Sequence, residues 1–151
     1  MDALELLNKT GDDLRAWAVS QDRFALGRTF NEIWEQIRKA RLYAGQPRSA
    51  VSEQGVALAK VCLQIATDLR KEELVTLSCR MLAYSLTADE RYDESLPFYN
   101  RAIDSLEAAG DHGQAARVRI GYVAALFHVG RHEDALAAAS VAEDWFKKNN
   151  D

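Results

Sequence analysis

The sequence predicts an all-α fold of about seven helices, paired as antiparallel hairpins that stack side by side. Three observations carry this. Apolar residues recur every three or four positions rather than every second one, which is the period of a helix face. Only 2 prolines and 8 glycines punctuate 151 residues, so long uninterrupted elements are expected. The stretch Arg91-Tyr92-Asp93-Glu94-Ser95-Leu96 is matched at an offset of 40 by Arg131-His132-Glu133-Asp134-Ala135-Leu136, a self-similarity typical of repeat architectures.

The elements follow in order. A first helix over about 2–19 sets Leu4, Leu7, Leu14, Trp17 and Ala18 along one stripe, and Asp22 is placed to cap the next. The second runs from Phe24 to about Ala44 with Phe30, Ile33, Trp34, Ile37 and Ala40 on one face, and stops at Gly45-Gln46-Pro47. The third spans about Ser52 to Leu69 with Val56, Ala59, Cys62, Leu63 and Ala66 inward; the fourth, Lys71 to about Thr87, turns Leu74, Leu77, Met81 and Leu82 inward. Tyr92 to Ala109, His112 to Val129 and His132 to Asn149 complete the set. The breaks Ala109-Gly110-Asp111 and Val129-Gly130-Arg131 are so short that their helices must be antiparallel neighbours. The whole chain, 1–151, reads as one domain, with 1–70 as N-terminal helices and 71–149 as two clearer hairpins.

The 40-residue offset extends beyond the hexapeptide, pairing Leu82 with Tyr122, Leu86 with Leu126, Tyr99 with Ala139 and Ala102 with Ala142. Each hairpin's second helix opens on acids (Asp93, Glu94; Glu133, Asp134) suited to the positive end of the helix dipole. Small residues then recur where two backbones must approach: Ser95 and Ala102 in one hairpin, Ala135, Ala139 and Ala142 in the other. With Asp93 as cap, Pro97 four residues on falls in the first turn, where its missing donor costs little.

Gly130-x-x-Glu133-Asp134-Ala135-Leu136 with Ala139 and Ala142, and Tyr92-Asp93-Glu94-Ser95-Leu96-Pro97-Phe98-Tyr99-x-x-Ala102-Ile103, resemble the second helix of tetratricopeptide repeats, in a lengthened variety. The resemblance covers about 71–149 and implies a short right-handed superhelix, with a weaker third copy upstream around Gly55, Ala59, Cys62 and Ala66. It departs from the family pattern where the first helices carry Cys79 and Ala83, then Arg119 and Val123, instead of the expected Trp and Gly. The resemblance further implies a non-enzymatic module binding a protein or peptide in a concave groove lined by first helices. Mapped here, that groove holds Leu77, Arg80, Met81 and Tyr84 from one hairpin and Arg117, Ile120, Gly121, Ala124, Phe127 and His128 from the next. Two guanidiniums among apolar and aromatic side chains suit a segment with apolar anchors and one or two carboxylates. The Asn and Lys residues with which chaperone adaptors of the family clamp a C-terminal carboxylate are missing at Met81, Tyr84, Gly121 and Ala124.

Composition narrows the remaining classes. The net charge of -4 and pI near 5.4 disfavour nucleic-acid binding, and no apolar run approaches the roughly 20 residues of a membrane span. Acids at Asp2, Glu5, Asp12 and Asp13 do not fit a secretory leader, and Cys62 and Cys79, both in apolar helical patterns, read as reduced packing residues. The expected location is therefore cytoplasmic. No phosphate loop, nucleophile elbow or zinc-protease motif occurs, so neither a catalytic residue, a cofactor nor a metal is expected. His128 and His132 have the spacing of two ligands on one helix, but Gly130 between them should part them onto two; Asp111-His112 reads as a helix cap. Basic residues gather over 23–48, where Arg38, Lys39 and Arg41 suit a solvated helix face. The last helix is apolar on two sides, and Ala138, Val141 and Trp145 form a stripe suited to a homodimer or another partner. Self-assembly, or a regulatory module acting with a DNA-binding or signalling partner, are the other functional readings.

Overall fold

The computed structural model describes residues 11–43 and 48–149, and among these it contains helices and turns only. Seven helices follow one another: α1 Gly11–Ser20, α2 Arg23–Tyr43, α3 Arg48–Asp68, α4 Glu72–Ala88, α5 Tyr92–Ala108, α6 His112–His128 and α7 His132–Lys148. The expected helix ends agree to within a residue or two with one exception. α3 begins at Arg48, a turn ahead of Ser52, because nothing in Arg48-Ser49-Ala50-Val51 breaks a helix. Residues 2–10 of the expected first helix and the Gly45-Gln46-Pro47 stop lie outside the described residues.

Four turns built on one plan set the architecture. The N–H groups of Lys71, Arg91, Asp111 and Arg131 reach back to the carbonyls of Ala66, Leu86, Leu106 and Leu126, at 2.9 to 3.1 Å. Within each turn the residue before donates to the carbonyl of Thr67, Thr87, Glu107 or Phe127. These are paired Schellman bonds, and they require a left-handed residue at the bend. Gly110 and Gly130 supply it at φ 79° and 84°; Arg70 and Glu90 adopt it at 54° and 61° despite their β-carbons. The turns fall every 20 residues, so α4 to α7 are each 17 residues long and the 40-residue sequence offset is one complete hairpin.

The helix starts differ in how they meet their free donors. Asp22 accepts from the Ala25 N–H at 2.7 Å and Asp111 from the Gln114 N–H at 3.2 Å, so both act as the caps their sequence suggests. α5 and α7 open instead on Arg91 and Arg131, whose guanidiniums fold onto Glu94 and Asp134 three residues on. The acids thus serve the dipole and also hold the entering arginine.

From α2 onward consecutive helices pack side by side, α1 packs on α3, and α2 also touches α4 while α4 touches α6. One core runs through the stack from Leu26, Phe30 and Ile33 of α2 to Leu126 of α6 and Ala135 of α7. Cys62, Ala66, Cys79 and Ala83 are fully buried within it. At the far end of α5, Ser105 donates to Glu72 of α4 at 2.8 Å, and Glu107 receives Arg119 at 2.7 Å and His112 at 2.5 Å. Arg119 and His112 both hold the Glu107 carboxyl below its usual range, the Arg119 hydrogen bond most strongly.

Candidate protein-binding groove

Because α2, α4 and α6 touch across the helices that separate them in sequence, their outer sides make one continuous surface. At its middle the Tyr84 ring meets Trp34 of α2 edge to face, centroids 5.2 Å apart. The Arg38 guanidinium lies 6.0 Å from the Trp34 ring, within cation–π reach, while also pairing with Glu35 at 3.0 Å. Leu77, Arg80 and Tyr84 are half-buried on this surface and Arg117 of α6 is exposed beside them. Burial pushes the Arg80 pKa down, the Asp111 carboxylate pulls it up, and the charges of Arg117 and Arg38 push it down again. An arginine stays protonated throughout the physiological range, so Arg80 is a charged group on this surface, acted on by the positive charges of Arg117 and Arg38 and by the Asp111 carboxylate. At one end, between Gly27, Arg28 and Asn31 of α2 and Lys71 to Leu74 of α4, the surface deepens into a hollow of about 840 Å³.

The structure separates the residues that sequence grouped together. Leu77, Arg80, Tyr84 and Arg117 share the surface. Met81 does not: it is 0% exposed and belongs to the core, because its position one residue past Arg80 turns it toward the neighbouring helices. Gly121 lies under the Tyr99 ring, packed rather than presented. Ile120 borders a different hollow, between α6 and α7. Phe127 and His128 lie at the turn end of α6, where His128 stacks on Tyr92 at 4.1 Å and Phe127 meets His132 edge on at 4.8 Å. His128 ends α6 and His132 begins α7, so Gly130 does divide them, and no group of three His, Cys, Asp or Glu among the described residues is arranged to hold a metal.

Of the terminal stripe, Ala138 and Trp145 are half-buried and Val141 is exposed. The Trp145 indole folds back on its own hairpin, where a β-carbon on Gly113 would come within 3.0 Å of Cζ2. The absence of a side chain at Gly113 makes that seat. Trp34 and Arg38 were the groove members missed by sequence. Their i, i+4 spacing at the border between the apolar and basic faces of α2 was the available signal, but only the docking of α2 beside α4 decides which side of that border faces outward.

Stacked hairpins with a continuous outer surface of first helices define a helical-repeat scaffold, whose binding face is extended rather than a closed pocket. The chain belongs to the tetratricopeptide repeat family: the family's profile, Tetratricopeptide repeat, matches residues 72–148, just over half of the chain. Repeats of this family generally mediate protein–protein interaction. No curated protein matches the chain, and no solved structure does. Among the described residues no helix is long and apolar enough to cross a membrane.

Proposed function

We propose that the chain is a non-enzymatic adaptor that binds an acidic segment of a protein along the α2–α4–α6 surface. The observation that carries this is the Trp34–Tyr84 pair with Arg38 at the Trp34 ring, on the surface where the charges of Arg38 and Arg117 both act on Arg80. Arg80 bears a burial cost and the repulsion of two like charges, which Asp111 opposes; an incoming carboxylate adds to what Asp111 does, and each guanidinium offers it a two-pronged donor. The aromatic pair supplies the apolar anchor beside that charge, the combination in which interface energy concentrates. In this reading the described helices before Arg70 and those of 72–148 work as one stack, a reading supported by the turn from α3 to α4, which has the same bonding as the three that follow. A cytoplasmic setting is supported by the two buried, unbridged thiols.

The test is fluorescence anisotropy on a series of labelled peptides that hold one aromatic residue constant while acidic residues are exchanged stepwise for basic ones. Wild type should bind the acidic members with a salt-dependent affinity, and Arg80→Glu/Arg117→Glu should lose them while its circular dichroism is unchanged. Binding indifferent to peptide charge, or equal in the two proteins, would overturn the reading.

A further inference from the structure

The two hairpins share a plan but not a neighbour. In α5 the stripe Leu96, Tyr99, Ile103, Leu106 lies against α6, with the Tyr99 ring on Gly121. At the 40-residue offset, α7 repeats the stripe as Leu136, Ala139, Glu143, Phe146. Leu96 is 8% exposed and Leu136 is 70% exposed. The same residue at the same point of the same kind of helix is covered in one hairpin and bare in the next. On α6, Ile120 and Phe127 are 59% and 60% exposed, and with Leu136 and Val141 of α7 they make four of the five large apolar side chains left open among the described residues, all on this last hairpin. A monomer rarely leaves so much apolar surface together without a use for it.

We propose that a second copy of the chain covers this face, α7 against α7 in antiparallel about a two-fold axis near Ser140. Two observations select that occupant. The face carries both parts of a self-complementary contact: where the earlier hairpin has the bulk of Tyr99 this one has Ala139, leaving a hollow of about 460 Å³ between α6 and α7, and the exposed Leu136, one turn of α7 before Ala139, has the size to fill such a hollow in another copy. A surface bearing its own knob and hole closes on itself about a two-fold axis. The charges agree. α7 has Glu133 and Asp134 in its first turn and Lys147 and Lys148 in its last. On the exposed side of α7, Glu133, Ser140 and Lys147 follow one another every seven residues, so the antiparallel pairing that centres on Ser140 sets Glu133 of each copy against Lys147 of the other, alongside the pair Lys147 makes with Glu143 of its own helix at 2.8 Å. This inference is independent of the peptide-binding surface on α2, α4 and α6.

Sedimentation equilibrium over a wide concentration range tests it on the full chain. Wild type should dimerise, and Leu136→Glu should raise the dissociation constant by about a hundredfold, because it places a charge in an apolar contact. Val141→Glu, the same change at an exposed position on the other side of α7, should leave the constant as it was. Ser140→Cys should form a disulfide-linked dimer under mild oxidation, with Cys62 and Cys79 contributing nothing because both are buried. A wild type that stays monomeric at its solubility limit would overturn the proposal and leave the face to a helix of another protein. A dimer unaffected by Leu136→Glu, or one that fails to link through Ser140→Cys, would overturn it equally.

Discussion

The Tyr99 ring occupies the space that a side chain at Gly121 would need: an added β-carbon would lie 2.8 Å from the phenolic oxygen and 3.0 Å from Cε1. The same hydroxyl shares a hydrogen bond of 2.8 Å with Thr87. One side chain of α5 therefore ties to α4 through its oxygen and sets the approach of α6 through its ring.

Gly121→Ala should lower stability by about 1–3 kcal/mol, since the ring must shift in a packed interior. Gly27→Ala is the matched control: a β-carbon there meets nothing within 4 Å, and the lower backbone entropy of alanine should raise stability by about 0.5–1 kcal/mol. Urea denaturation of both variants gives the two signs in one experiment.

The four bends make a second pair of opposite expectations. Arg70 holds a left-handed backbone that its β-carbon opposes, so Arg70→Gly should stabilise the protein by up to about 1 kcal/mol. Gly130→Ala imposes the same opposition where it is now absent and should destabilise by about 1 kcal/mol. The midpoint of thermal unfolding would reveal both.

Acid should weaken the junction of α5 and α6. The Glu107 carboxyl is held below its ordinary value of 4.5 by Arg119 and then His112, so its contribution is complete above that value and is lost as pH falls through the lower folded one. Glu107→Gln should therefore be less stable than wild type at neutral pH, and the gap should close as pH falls below about 4. Urea midpoints of the two proteins across that range measure it.

Both thiols should be silent in the native protein. Burial pushes the Cys62 pKa up to about 12, and burial also raises that of Cys79. Reaction with a disulfide reagent should proceed only as fast as the protein opens, and both should react at once in denaturant.

Helix count, helix ends and hairpin period were legible because each has a local cause: apolar spacing, a cap such as Asp22 or Asp111, a glycine at the bend. The bends at Arg70 and Glu90 were placed without a glycine because the apolar period breaks there. What remained hidden depends on how helices face each other. Met81 and Arg80 are adjacent in sequence, yet one is core and the other surface. Trp145 reads from sequence as part of a partner-facing stripe because its seat is the missing side chain of Gly113, thirty-two residues away. Trp34 and Arg38 join the surface of α4 only once α2 is laid beside it.

The uniform bends carry a constraint on how such a chain can change in length. Each bend reverses direction after 20 residues, so gaining or losing a single helix would send every later helix the opposite way and exchange the inner and outer rows of the stack. Gain or loss of 40 residues restores both direction and row. A lineage of this protein can grow or shrink only in even steps without dismantling the surface on which Arg80 and Arg117 meet.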